Sequence, residues 1–247
     1  MKSKILLFFI FIAEMCFAQK VEIVKRSDYR HDYALGRFVY VEDAADTSRL
    51  KYIATLKIHV DNFPFIVSNF YTRIKTEAKD LGANSYCIES FTEIDSSVTL
   101  TVKTYFAPDK FFDANEKKMD KSKVYIFSSE RRKGFIQDFY LNDSLISFNS
   151  LGFHTLSPGP KDFIKITAYK RYGPTKTVPG KKFKPDKDSQ FFVVGERLPD
   201  KDGAIVGVAF GLAGYLIYKA VAREKKHDEI DYQYGRFLLD IYKKYNS

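Results

Sequence analysis

The chain has 247 residues, a formal charge of +9, and 16% aromatic residues from 17 Tyr and 23 Phe. That aromatic content supplies folded cores and excludes a globally disordered chain, and the length suits two modest domains or one large one.

Residues 1–18, MKSKILLFFIFIAEMCFA, pass from lysines through the apolar stretch Ile5–Ala13 to a small residue. This is the order of a secretory signal peptide, with cleavage expected between Ala18 and Gln19. The apolar stretch is too short to span a bilayer, which takes about 20 residues. Cys16 follows Ala13, Glu14 and Met15, a charge and a bulky side chain where a lipoprotein box needs small apolar residues. Once the signal is removed, Cys87 is the sole cysteine, so an intrachain disulfide is excluded. In SYCIESF it reads as a small buried hydrophobe.

Residues 19–106 read as an α+β domain. KYIATLKIHV alternates, with Ala54, Leu56, Ile58 and Val60 on one face and Thr55, Lys57 and His59 on the other, which predicts a half-buried strand. In the next stretch, Ile66, Phe70, Ile74, Ala78 and Leu81 recur at helical spacing. The helix is predicted from Pro64 to Leu81, with Gly82 as its cap. SYCIESF and SVTLTVKTYF read as two further strands joined by the turn TEIDSS. Counting RFVYVE as the first strand gives a ββαββ domain with one helix on an antiparallel sheet. The segment EAKDLGANSYCIESF, with Leu81-Gly82-Ala83-Asn84 between helix and strand, resembles small bacterial envelope domains of the heavy-metal-binding-like, dodecin-like group across residues 51–106. The resemblance implies the fold. It implies no metal, because no cluster of His and Cys accompanies it.

Residues 107–122, APDKFFDANEKKMDKS, are polar and aperiodic and read as a linker. Residues 123–200 then present short strands in KVYIFSS, FIQDFYLNDSLISFN, DFIKITAYK and SQFFVVGERL. Asn142-Asp143 sits at a hairpin turn, and Gly- and Pro-marked turns lie between the strands. This spacing suggests a β-sandwich-like domain. Val124-Tyr125-Ile126-Phe127, Asn142-Asp143 and Pro158-Gly159 occur in the order of an envelope β-sandwich family of unknown function, which residues 123–198 resemble. His154, ahead of the Pro-Gly turn, departs from that pattern.

Nine Lys or Arg lie between Lys161 and Lys187. Lys161, Lys165, Lys170, Arg171, Lys176, Lys181, Lys182 and Lys184 are candidate contacts to an anionic surface, either lipid headgroups or a cell-wall polymer. The alternative is a set of solvated loops. Export argues against nucleic acid as the partner.

Motifs for catalytic zinc, a nucleotide-phosphate loop or a nucleophile elbow are missing from the sequence. No catalytic, cofactor or metal residue is assigned, and His31, His59, His154 and His227 are scattered. The remaining polar constellation joins Asp28, His31 and Asp32 to Glu42, Asp43 and Asp46. It reads either as a solvated segment or as oxygen and nitrogen donors for a cation.

Residues 203–222 open with sixteen uncharged residues, in which Gly203, Gly207 and Gly211 recur every fourth position and Gly214 follows. On a helix this glycine face lets a second helix approach closely, in an envelope partner or a second copy. Sixteen residues give about 24 Å of helix against a hydrocarbon core of about 30 Å, so a span requires extension to Ala222 with Lys219 reaching the interface. Lys219, Arg223, Lys225 and Lys226 would then put the C-terminus in the cytoplasm and the body outside. The other reading buries the segment in protein. Residues 227–247 repeat apolar side chains at Ile230, Tyr234, Phe237, Leu238, Ile241 and Tyr245, which predicts an amphipathic C-terminal helix. The expectation is an exported, non-catalytic bacterial envelope protein with a binding or scaffolding role, anchored to a membrane near its C-terminus. A soluble periplasmic or surface-exposed binding protein is the alternative, and an enzyme with an unrecognised site is the second.

Overall fold

The computed structural model describes residues 21–29, 36–61, 67–95, 97–128, 137–149, 151–159, 161–168, 175–179, 188–194 and 227–245. The fold is mixed α/β and mostly strands, with three α-helices among the described residues. Two compact units divide the chain. The first takes the described residues up to Val41, 46–61 and Asn69–Phe112, and the second takes Glu42–Ala45, 67–68 and what is described from Asp113 on. The expected signal peptide and apolar segment 203–222 lie outside the described residues, as do Ala18, Gln19, Gly203, Gly207, Gly211 and Gly214.

In the first unit, strands β1 (Val21–Arg26), β2 (Val39–Tyr40), β3 (Lys51–Val60), β4 (Ser85–Ile94) and β5 (Ser97–Phe106) form one sheet in the order β1-β3-β5-β4-β2. The predicted alternation of β3 is present, with Ala54, Leu56 and Ile58 fully buried and His59 exposed. Helix α1 (Val67–Asp80) covers the same face with Phe70, Tyr71, Ile74 and Ala78, and the Tyr71 ring lies 6.2 Å from Tyr86 of β4. Gly82 ends the helix at φ +89°, a conformation open to glycine without steric cost, and Ala83 N–H donates to the Ala78 carbonyl at 2.8 Å.

Two features of this sheet differ from the expectation. RFVYVE supplies only the two-residue β2, which pairs with β4 in parallel, so the sheet is mixed. Strand β1, whose side chains are mostly exposed, takes the far edge instead, and a register shift between Ile23 and Lys25 breaks the alternation that would have announced it. The stretch read as a polar, aperiodic linker contains helix α2 (Asp109–Glu116), in which Phe111 and Phe112 are buried.

The second unit holds two four-stranded sheets. Strands β7 (Gln137–Leu141), β8 (Ser144–Phe148), β10 (Phe163–Ala168) and β11 (Thr175–Pro179) form one, in the order β11-β10-β7-β8. Strands β6 (Val124–Phe127), β9 (Phe153–Leu156), β12 (Gln190–Val194) and β13 (His227–Ile230) form the other, in the order β13-β12-β6-β9. Asn142 and Asp143 turn the β7–β8 hairpin at φ +48° and +68°, the paired positive values a two-residue hairpin turn requires. Strands β9 and β11 lie in stretches read as turns.

Val124, Ile126, Phe192 and Val194 from one sheet share a core with Phe139, Leu141, Ile164, Ile166 and Val178 from the other. Their strand neighbours Tyr125, Phe127 and Phe191 point the opposite way, toward helix α3 (Tyr232–Tyr245), with ring centroids 5.1 Å apart for Phe127–Tyr242 and 5.3 Å for Phe191–Tyr232. VYIF is therefore buried along its whole length, which is why it reads as a continuous apolar run.

The tail is a strand followed by a helix, where a single helix from residue 227 was expected. Asp231 caps α3, its Oδ1 accepting from the Tyr234 N–H at 3.0 Å. Tyr234, Phe237, Leu238 and Ile241 of the expected stripe are buried, and Arg236, Leu239 and Tyr242 are buried as well. A Cβ on Gly235 would stand 2.2 Å from Phe191 Cγ, and Phe191 is itself stacked on Tyr125 at 5.1 Å. Gly235→Ala should therefore cost about 1–3 kcal/mol by overpacking, read as a lower urea midpoint at unchanged m-value.

Candidate functional site

Two arrangements of polar side chains stand out, one exposed and one buried. Helix α1 covers one face of the first unit's sheet, and the alternate residues of its strands lie on the other face, where Thr99, Thr101, Lys103 and Tyr105 are half-buried, His59 is exposed and Thr55 is buried. Strand β5 runs through the middle of this open face, and its Thr99, Thr101, Lys103 and Tyr105 lie opposite His59, Lys57, Thr55 and Tyr52 of β3.

Cross-strand partners hold these side chains in place. The Thr99 hydroxyl is 2.8 Å from His59 Nδ1, and His59 Nε2 is 2.9 Å from Asp61 Oδ1, which also accepts from Ser97 Oγ at 2.7 Å. The Ser97 bond, more than the neighbouring imidazole, holds the Asp61 carboxyl below its usual range. Lys103 pairs with Glu89 at 2.6 Å, and the Glu89 hydrogen bond raises the lysine.

At the far end the Tyr52 and Tyr105 rings meet edge to face, 6.1 Å apart, with the Lys25 ammonium 5.9 Å from the Tyr52 centroid. Burial pushes the Tyr105 phenol well above its ordinary value, so it stays protonated beside half-buried Cys87, whose Sγ is 3.9 Å away. The face thus offers hydroxyls, ring surfaces and paired charges. The i, i+2 spacing of His59 and Asp61 is the local signal for its polar end.

The buried arrangement belongs to the second unit. Arg236 grips Glu42 through Nη2–Oε2 at 2.8 Å and Nε–Oε1 at 3.1 Å, and the Tyr232 hydroxyl donates to Oε1 at 3.2 Å. The Glu42 N–H donates to Asn115 Oδ1 at 2.9 Å. Side chains of the pair are 7% and 6% exposed, so each charge depends on the other. Burial pushes the Glu42 carboxyl above the usual carboxylate range, and the Arg236 guanidinium pulls against it. Nearby, Asp120 accepts from the Tyr125 hydroxyl at 2.5 Å and from Lys123 at 3.2 Å.

These placements dissolve the described part of the cation constellation. Asp28 is exposed, Glu42 is held by Arg236, and Asp46 caps a short helical turn by accepting from the Ser48 N–H at 3.0 Å. Asp43 is exposed, and His31 and Asp32 lie outside the described residues. Among the described residues no group of three or more His, Cys, Asp or Glu is placed to hold a metal ion.

Of the basic window, Lys161 is exposed, Lys165 pairs with Asp143 at 2.8 Å, and Lys176 lies 5.3 Å from the Phe192 ring centroid. Lys170, Arg171, Lys181, Lys182 and Lys184 are outside the described residues. Comparison with protein-family models, curated proteins and solved structures finds no match to this chain.

Arg236→Met should destabilise the chain by about 3–5 kcal/mol because it strands a buried carboxylate. Adding Glu42→Gln should recover part of that loss in a denaturation cycle. Burial raises the Asp120 carboxyl, but the bonds from Tyr125 and Lys123 outweigh it and hold the group below its ordinary 3.8. The stability this supplies is present above pH 3.8 and is lost as pH falls through the lower folded value. Asp120→Asn should remove that acid-side loss from a stability-against-pH series.

Proposed function

We propose that the chain is an exported, non-catalytic protein of the bacterial cell envelope, with a binding role carried by the open sheet face and a β-sandwich-like second unit that holds it at a membrane. The N-terminal order of charge, apolar run and small residue supports export, and the apolar residues 203–222 support membrane attachment. On this reading the two stretches that resemble envelope families are envelope domains.

The observation that carries the binding role is the ordered polar and aromatic lining of the open face. Hydroxyls of Thr99, Thr101 and Tyr52 suit the donors and acceptors of a polyhydroxylated polymer, and tyrosine rings suit the apolar faces of sugar rings. The ligand of this face is a cell-wall polymer, and the basic stretch 161–187 of the second unit is a separate candidate contact to anionic groups. The glycine face at 203–214 serves helix packing, with an envelope partner or a second copy.

The test is co-sedimentation of the purified chain with insoluble cell-wall polymer. Tyr52→Ala combined with Thr101→Ala should weaken binding about tenfold or more, the size expected for residues central to an interface. Retention equal to that of the parent chain would contradict the assignment of the face.

A further inference from the structure

Strand β13 is antiparallel to β12, with Val194 opposite His227 and Phe191 opposite Ile230. The chain therefore leaves this sheet at Val194 and rejoins it one strand away, at the same end. Helix α3, directly after β13, is fixed to the same unit. Gly235 seats on Phe191, Arg236 holds Glu42, and the Tyr242 hydroxyl donates to the Ser128 carbonyl at 3.2 Å.

A single crossing by residues 203–222 would put β12 and β13 on opposite sides of a hydrocarbon core about 30 Å thick, which pairing at Cα neighbour distance forbids. Two crossings fail on length. Each takes about 20 residues, so a pair needs about 40, and residues 195 to 226 number 32.

We infer that β13 and α3 lie on the same side of the membrane as the sheet they complete, so that the described C-terminal residues stay with the body of the second unit. The inference rests on the membrane attachment proposed above and replaces the C-terminal cytoplasmic orientation expected from the flanking charges. The positive-inside rule orients a crossing segment. Lys243 and Lys244, in the last turn of α3 beside the Tyr242–Ser128 contact, place basic residues near the end of the sheet where β12 ends and β13 begins.

The experiment places single cysteines at Leu145, 54% exposed on β8, and at Lys243, exposed on α3, in the full chain carrying Cys87→Ser. Spheroplasts are treated with a membrane-impermeant maleimide before and after lysis. The two positions should respond alike, both labelled in intact spheroplasts or both only after lysis. Labelling of one in intact spheroplasts and of the other only after lysis would overturn the inference. Responses alike but only after lysis would support it while contradicting export. Flotation of the same untreated membranes reads attachment separately: co-migration with lipid supports the attachment proposed above, and failure to float would contradict that attachment while leaving the shared sidedness intact.

Discussion

The pairing of β13 with β12 is the constraint on which the second unit depends. It brings the last described residues of the chain onto a sheet begun at Val124, and it delivers α3 over the face that Tyr125, Phe127 and Phe191 would otherwise expose. Gly235 lets the helix approach Phe191 closely, and the buried Arg236–Glu42 pair then fixes its position in a way apolar packing alone does not. Phe192 and Val194 of the same strand enter the core between the two sheets. One five-residue strand therefore serves two cores, and β13 and α3 complete the second of them.

That closure shapes the reading of function. An apolar segment next to a cationic run ordinarily suggests a simple anchor, but here the described strands on either side of it in sequence, β12 and β13, are neighbours on one sheet, which constrains topology instead. The first unit solves a different problem. Its helix covers one face of a long sheet, and side chains of the other face are ordered by their cross-strand partners.

Much of the first unit was legible because local pattern and burial agree. Alternation in KYIATLKIHV, the four-residue spacing from Phe70 to Ala78, and Gly82 at the helix end each report a physical need that acts within a few residues. The same holds for the Asn142-Asp143 turn. The elements that sequence reasoning missed depend on distant partners. Strand β1 reads poorly because a bulge interrupts it at an exposed edge, β9 and β11 are short strands inside turn-rich stretches, and His227–Ile230 forms a strand only because β12 offers an edge. Glu42 read as part of a solvated acidic segment or as a donor to a cation because its neighbours are acidic, while the residue that decides its role lies 194 positions away. Gly235 carries no local signal either, since the reason for it is the ring of Phe191.

The C-terminal strand and helix are, on this account, an integral part of the β-rich unit. Native-state amide hydrogen exchange tests that most directly, because it resolves whether an element opens alone or with the whole. Amides of Phe191–Val194 and of Phe237–Tyr242 should exchange with the same free energy as those of Val124–Phe127, through one shared opening. Exchange of the α3 amides at a distinctly lower free energy, with β6 and β12 still protected, would show a detachable helix and contradict the account.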